Sequence, residues 1–261
     1  MNLRFLGTGT STGSPEIGCQ CEVCTSTDSK DQRFRSSALI EIGGKHILID
    51  CGPDFRMQIL EAFKKNPFEH LDGVLITHEH YDHVGGLDDL RTFCKEGNAV
   101  DIYAEEDVVN AIRERMPYAY KENKYPGVPN LQMITITDQP FFIDSIKIIP
   151  IRLMHGNLPI YGYRIENMAY LTDLKTIPES EYDKLKDLDV LIINALRTED
   201  HISHQTIAEA LENIKKIKPK RAFFTHMNHH FGLHEVVQKQ LPSTVLVPYD
   251  GLELHINPTC N

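Results

Sequence analysis

One stretch, Thr77-His78-Glu79-His80-Tyr81-Asp82-His83, indicates both the fold and the chemistry of this chain. It follows the apolar run Gly73-Val74-Leu75-Ile76, which is typical of a buried parallel strand, and it precedes residues 85–90, which predict the start of a helix. Residues two apart at a strand end project to the same side, so His78 and His80 can bind one metal ion. Asp82 and His83, beyond the turn, can bind a second ion. A polar loop that contains histidines by chance is the alternative, and the spacing disfavours it.

Three later strands are also predicted to end at a residue of a metal-binding type. Residues 146–154 lead to His155, residues 169–172 to Asp173 and residues 222–225 to His226. A single histidine at a strand end is usually a core residue with a hydrogen-bond partner. Three strands that each end in a metal-binding residue type indicate a shared function for these residues. Ligands of α/β proteins bind outside the carboxyl ends of the strands, so these side chains are expected to meet the first cluster.

Asp50 ends a further predicted strand. Residues 37–42 and 46–49 form a predicted β-hairpin with a Gly-Gly turn, and residues 53–65 form a predicted helix. Asp50 could accept the outer N–H of a ligand histidine and so orient it. An aspartate before Gly-Pro is equally typical of a turn, and the sequence leaves both interpretations open.

Three cysteines, Cys19, Cys21 and Cys24, lie within six residues and indicate a second metal site. A structural zinc needs four ligands, mostly thiolate and imidazole, and the fourth is missing nearby. The dense histidine segment near residue 229 is the other source of ligands, so His229 or His230 is expected to complete a site of three cysteines and one histidine. Three ordinary thiols are the alternative.

Two histidines, His201 and His204, precede the predicted helix 207–216. Ser203 alone could cap that helix, so the histidines need another reason. We predict a catalytic or substrate-contacting role for His204 and regard His201 as a candidate substrate-binding residue. Residues 118–129 form a predicted loop rich in tyrosine, lysine and proline, for which an ordinary solvated loop is favoured over one that overhangs the cleft.

Composition limits the remaining choices. With 261 residues and 41% hydrophobic residues the chain is expected to fold as one domain, 1–261. The formal charge of −10 argues against a nucleic-acid backbone as the main partner. Residues 7–15 are glycine-rich but lack the Gly-Lys-Ser/Thr ending of a phosphate loop, so they predict a tight turn or one wall of a cleft. Without a recognisable signal peptide or an apolar run long enough to span a bilayer, the protein is expected to be soluble and cytoplasmic, with no membrane partner.

These residues, in this order over nearly the whole chain, resemble the metallo-β-lactamase superfamily. The resemblance rests on Leu6-Gly7-Thr8-Gly9-Thr10, on His78-x-His80-x-Asp82-His83, and on His155, Asp173 and His226. The cysteine cluster together with His226-x-x-His229 resembles the PhnP-type phosphodiesterases, relatives of tRNase Z that carry an extra structural zinc. The resemblance implies an α/β fold, an αββα sandwich of two similar βα halves with a dinuclear metal site at one edge of the sheets.

The resemblance also implies a role for each matching residue. One ion would be held by His78, His80 and His155, and the other by Asp82, His83 and His226. Asp173 would bridge the two ions, and His204 would assist the leaving group. His229 would be the fourth ligand of the structural zinc. The two active-site ions would be zinc or manganese, a choice that the sequence leaves open.

The expected activity is hydrolysis of a small or cyclic phosphodiester. A water shared by the ions would become a hydroxide nucleophile, and a protonated His204 would supply the proton to the leaving alkoxide. Asp82 and Asp173 count with His204 as catalytic residues because they hold the ions. An RNA-processing nuclease of the tRNase Z type is one alternative, disfavoured by the acidic charge and the lack of an inserted basic arm. A zinc-knuckle binding module is the non-enzymatic alternative. The oligomeric state stays open, a homodimer included.

Overall fold

A computed structural model describes residues 1–95, 98–121, 123, 125 and 127–257. Its strands, in chain order, are β1 Asn2–Gly7, β2 Ser37–Ile42, β3 Lys45–Ile49, β4 Gly73–Leu75, β5 Val100–Ala104, β6 Leu131–Thr135, β7 Phe141–Ile143, β8 Ile146–His155, β9 Leu158–Ile165, β10 Met168–Leu171, β11 Val190–Asn194, β12 Arg221–Thr225, β13 Val245–Leu246 and β14 Glu253–His255. Its α-helices are α1 Phe55–Phe63, α2 Tyr81–Val84, α3 Glu106–Arg115, α4 Ile207–Ile217 and α5 His234–Gln238.

The described strands form two sheets of seven with mirrored topology. The first has the order β14-β1-β2-β3-β4-β5-β6, and the second has the order β13-β12-β11-β10-β9-β8-β7. Strands β3 to β6 run parallel to one another, as do β10 to β13. The two halves therefore repeat one arrangement, as the resemblance implied.

Side-chain alternation along the central strands creates the layers. In β3, Ile47 packs into the core between the sheets, whereas Leu48 packs outward against α1 and α3. In β11, Ile192 packs into the same central core, whereas Leu191 packs outward against α4 and α5. Both faces of each sheet are thus covered, which confirms the predicted αββα sandwich.

The two halves are joined directly at the edge that carries the histidine motif. The Tyr163 hydroxyl of β9 donates to the carbonyl oxygen of Ile76 at 2.6 Å. The backbone N–H of Tyr161 donates to the carbonyl oxygen of Thr77 at 3.1 Å. The second sheet therefore fixes the segment that leads into His78.

Several element boundaries differ from the prediction. The helix expected from residue 85 begins earlier, as the single turn α2, and Leu87–Phe93 is a 3-10 helix. The cap of α4 is Thr206 rather than Ser203, because Thr206 and Glu209 form a reciprocal capping box. Pro117–Tyr120 in the expected loop is a 3-10 helix, while residues 122, 124 and 126 of that loop lie outside the described residues.

No helix in the described part of the chain combines the length and apolar character needed to cross a membrane.

Candidate metal centre

The first group of donors comes from the segment between β4 and α2 and from the end of β8. His80 occupies the N-cap position of α2, and its Nδ1 lies 3.0 Å from Nε2 of His78. The ring centroid of His155 lies 5.6 Å from that of His78 and 5.2 Å from that of His80. One nitrogen from each of these three imidazoles lies within 4.8 Å of the others. The structure therefore brings together the predicted ligands of one ion.

The second group joins α2 to the ends of β10 and β12. Nε2 of His83 lies 3.1 Å from Asp82 Oδ2 and 3.3 Å from Asp173 Oδ2. Nε2 of His226 lies 3.0 Å from Asp173 Oδ1 and 3.4 Å from Asp82 Oδ2. All four side chains are buried, and their donor atoms also lie within 4.8 Å of one another.

Asp173 lies between the two groups. Besides its contacts to His83 and His226, its carboxylate forms a further set of mutually close donors with His155 and His204. A carboxylate within reach of both histidine groups is placed as a bridging ligand would be. This is the position that the resemblance implied for Asp173.

Three strand-end residues of the centre adopt left-handed backbone conformations. The φ angles of Asp50, Asp173 and His226 are 58°, 59° and 56°. This region is uncommon for residues other than glycine and persists where neighbouring groups impose it. Here the Asn194 side-chain oxygen accepts the N–H of the residue after Asp173 at 2.8 Å, and the Ser36 hydroxyl accepts the His226 N–H at 3.1 Å. Neither support is evident from the sequence pattern alone, although Asn194 is recognisable as a polar end to a buried strand.

Asp50 orients His83 rather than serving only a turn. Its buried carboxylate accepts the Nδ1–H of His83 at 2.7 Å and the backbone N–H of Thr77 at 2.9 Å. Burial raises the pKa of Asp50, while the His83 charge and hydrogen bond act to lower it. Because Nδ1 of His83 donates its hydrogen bond to Asp50, Nε2 of the same ring points toward Asp82 and Asp173.

His155 is oriented in a similar way. Its Nδ1 lies 3.0 Å from the Ser203 carbonyl oxygen, to which it can donate, so that Nε2 is left for an ion. The segment before α4 thus contributes to the centre through its backbone as well as through its histidines. The sequence predicts Ser203 only as a helix cap, and its carbonyl contact with His155 depends on the fold.

The donor chemistry fits divalent cations. Nε2 of His83 is buried without a hydrogen-bond partner among the described residues, although carboxylate oxygens of Asp82 and Asp173 lie 3.1 Å and 3.3 Å from it. Burial opposes a charge on His226, but Asp173 and Asp82 prevail and raise its pKa to about 9. The site therefore favours positive charge at its centre, and imidazole with carboxylate is a donor set that suits zinc or manganese.

His204 lies against both groups of donors. Its ring centroid is 4.5 Å from that of His155 and 4.8 Å from that of His226, and Nδ1 is 4.0 Å from Asp173 Oδ1. Burial, followed by the neighbouring His226, lowers the pKa of His204 to about 2. His204 can therefore act as a general acid only if the negative charge of a bound substrate raises its pKa so that the imidazole is protonated. His201 lies beside it, with 4.9 Å between the ring centroids.

The cysteine cluster is separate from these groups. Donor atoms of Cys19, Cys21, Cys24 and His229 lie within 4.8 Å of one another, and Cys24 Sγ is 3.2 Å from Nδ1 of His229. His230 is exposed and lies outside the cluster, so the structure favours His229 over His230. Three sulfurs and one imidazole are a donor set for structural zinc.

A cavity of about 500 Å³ lies elsewhere, between β1, α1 and the segment around Asp250. None of the candidate metal ligands lines it. The functional site is therefore identified by its donor chemistry and not by cavity size.

The chain is similar to several known proteins. A model described as a β-lactamase superfamily domain matches residues 45–227. The crystal structure of a new diphosphatase from the PhnP family is 35% identical, with a TM-score of 0.91 and coverage of 98% of each chain. The zinc-bound structure of PqqB from Methylobacterium extorquens is 20% identical, has a TM-score of 0.80 and covers 98% of this chain and 100% of its own, a similarity of fold alone.

A protein named octanoyltransferase from Porphyromonas gingivalis (strain ATCC BAA-308 / W83) is 47% identical over 260 residues. The match covers 98% of this chain but 52% of that protein, so the chain spans about half the length of this relative.

Proposed function

The chain belongs to the β-lactamase superfamily and, within it, to the PhnP-type branch, and on that premise we propose that it is a metal-dependent phosphodiesterase acting on a small or cyclic phosphodiester. The observation that carries the proposal is the position of Asp173, whose carboxylate is shared by two groups of histidines. Two such groups around one carboxylate match the requirements of a pair of divalent ions. The similarity to a PhnP-family diphosphatase supports chemistry at phosphorus.

Each part of the centre has a distinct task in this proposal. His78, His80 and His155 would hold one ion, and Asp82, His83 and His226 the other, with Asp173 between them. Two divalent ions bound there would supply activation of a water molecule and neutralisation of charge on the phosphoryl group.

The remaining residues would control protons and orientation. Asp50 and the Ser203 carbonyl fix His83 and His155 in the tautomer that presents Nε2. His204, next to Asp173, is placed to donate a proton to the departing alkoxide once the negative charge of the substrate has raised its pKa. His201 would contact the substrate beside it.

Octanoyl transfer does not enter the proposal. The chain matches about half of the relative that carries this name, and the donors at the centre are imidazoles and carboxylates. We infer that the name describes an activity of the part of that protein that this chain does not match.

The test is hydrolysis of bis(p-nitrophenyl) phosphate by protein loaded with zinc or manganese. We expect turnover that a chelator abolishes and that Asp173→Ala reduces by about a thousandfold or more, because transition-state charge would lose its stabilisation. Asp183→Ala, which removes an exposed carboxylate whose ion-pair partner is Lys186, is the matched control and should retain full activity. Metal-loaded protein that turns over none of several phosphodiesters would contradict the proposal.

A further inference from the structure

Apolar and aromatic side chains form much of the wall of the cavity between β1 and α1. Phe5 and Leu6 of β1 and Ala62 of α1 line it and are buried. Phe34, which is half-buried, and Tyr249, which is partly exposed, add two aromatic rings. The volume of about 500 Å³ lies within the range of roughly 300–1,000 Å³ that is usual for small-molecule sites. The cavity therefore has the size and the lining for a ligand with a flat apolar ring.

Two residues that line this cavity carry a buried polar atom without a hydrogen-bond partner among the described residues. These atoms are Oγ of Ser14 and Oε1 of Gln58. The two residues are only 6% and 2% exposed, so bulk water does not satisfy them. Buried polar groups nearly always have a partner, because leaving them unsatisfied destabilises the fold. A bound molecule in the cavity would supply the missing partners.

The amide of Gln58 has a fixed orientation. Its Nε2 donates to the Arg35 carbonyl oxygen at 2.8 Å. A flipped amide would place two oxygens against each other, so Oε1 is the atom left over, and it can only accept. The Ser14 hydroxyl can donate or accept. A complementary ligand therefore presents at least one N–H donor together with a second polar atom.

The charged side chains at the cavity are associated with one another. Arg4 and Lys65 both contact the Glu253 carboxylate. The buried Arg33 guanidinium and the Asp250 carboxylate share one threonine hydroxyl, to which Arg33 donates and from which Asp250 accepts. Each cation that lines the cavity thus has a carboxylate at or near it. This arrangement favours an uncharged ligand over an anion.

We propose that this cavity binds a nucleoside through an amino-bearing purine base. The two flat faces of a purine pack on aromatic side chains, and its fused rings fill more of such a cavity than a pyrimidine does. In adenine the amino group is a donor for Gln58, and the ring nitrogen beside it is an acceptor for the Ser14 hydroxyl. None of the candidate metal ligands lines the cavity, so this is a second ligand site, beyond the proposed phosphodiesterase activity.

Titration calorimetry of the metal-loaded protein with adenosine tests the site. Adenosine carries no phosphate, and we expect it to bind with a Kd on the order of 100 μM, as is usual for a ligand of this size. The matched probe is N6,N6-dimethyladenosine, which keeps the purine rings but has no amino N–H to donate. We expect it to bind about tenfold more weakly, because Oε1 of Gln58 stays unsatisfied.

Two variants locate the binding. Ser14→Ala should weaken adenosine binding by about tenfold, whereas the Tm of the free protein should stay the same or rise, because this hydroxyl has no partner to lose. Ala62→Met adds volume at the cavity wall and should prevent binding. Ser243→Ala is the matched control, since Ser243 is exposed and is not part of the lining, and its affinity should equal that of the wild type.

A protein in which His78 and His80 are both replaced by alanine should keep the wild-type affinity for adenosine. Loss of binding in that protein would place adenosine at the metal centre and overturn the proposal. Absence of adenosine binding to the wild type would overturn it too, as would equal affinities for the two nucleosides or an unchanged affinity in Ser14→Ala. The phosphodiesterase proposal is tested separately by turnover, so it stands or fails independently of these results.

Discussion

Hydrogen bonds between residues that are far apart in the sequence hold the candidate metal ligands in position. The candidate donors could be predicted because histidine, aspartate and cysteine at strand ends are visible in the chain itself. The residues that hold these donors in place could not be predicted in the same way. Asn194 holds the peptide after Asp173 across 20 residues, and Ser36 holds His226 across 190 residues. Only the folded chain brings these partners together, and the left-handed strand ends depend on them.

Asp50→Asn tests the orientation of a ligand. An amide can still accept the Nδ1–H of His83, but it is neutral and cannot accept as many hydrogen bonds as the carboxylate does from Thr77 and His83. We expect metal affinity to fall by about 10–100-fold, the usual cost of losing a partner behind a ligand histidine. Competition titration with a chromogenic chelator measures it. Asp72→Asn, which changes a carboxylate bound to Lys45 and the His46 N–H, should leave the affinity unaltered.

At the scale of secondary-structure elements, local patterns predicted the long strands and long helices well. Apolar residues identify strands such as β8, and the helical pattern of residues 207–216 identifies α4. The short strands β7, β13 and β14 were missed because two or three residues carry no periodicity and pair only through the fold. The segment before α1 packs tightly against α2, since a Cβ on Gly52 would lie 2.1 Å from the Asp82 carbonyl oxygen.

Asp250 joins the end of β1 to the segment before β2. Its carboxylate accepts from the Thr8 hydroxyl at 2.8 Å and from the Phe34 N–H at 2.6 Å. Burial raises the pKa of Asp250 to about 7, although these hydrogen bonds act to lower it. The folded state therefore holds a proton that the unfolded chain releases near pH 4, and the stability from this group is lost as the pH rises from about 4 to about 7.

Asp250→Asn should remove this pH dependence. Relative to the wild type, the variant should gain about 3 kcal/mol in unfolding free energy between about pH 4 and pH 7, because an amide does not titrate. Urea unfolding at several pH values measures the difference. Asp187→Asn is the control. Asp187 is exposed, and asparagine tolerates its φ of 58°. For this variant the difference from wild type in unfolding free energy should be the same at every pH in this range. A flat difference for Asp250→Asn as well would contradict the assignment.

At the scale of the whole molecule, the two candidate metal sites share one segment. His226 belongs to the centre and His229 to the cysteine cluster. Backbone hydrogen bonds join Met227, between them, to Thr8 and Thr10 in the loop that leads to the cysteines. Loss of the structural zinc should therefore displace a ligand of the centre.

Cys21→Ser tests this coupling. We expect phosphodiesterase activity to fall by about tenfold or more, since small displacements of a ligand are costly in catalysis. Cys94→Ser is the control, because Cys94 contacts Leu90 and Asn130 and is no part of the cluster. Full activity in a Cys21→Ser protein that has lost one metal equivalent would show that the two sites are independent.

Metal content per chain tests the central claim most directly. Protein reconstituted with zinc, freed of loose metal and analysed by mass spectrometry should hold about three equivalents, two in the dinuclear centre and one with the cysteines. A variant in which His78 and His80 are both replaced by alanine should keep the cysteine-bound equivalent but lose at least one of the other two. A wild-type value of about one equivalent, unchanged in that variant, would contradict the dinuclear centre and favour a protein with a structural zinc alone.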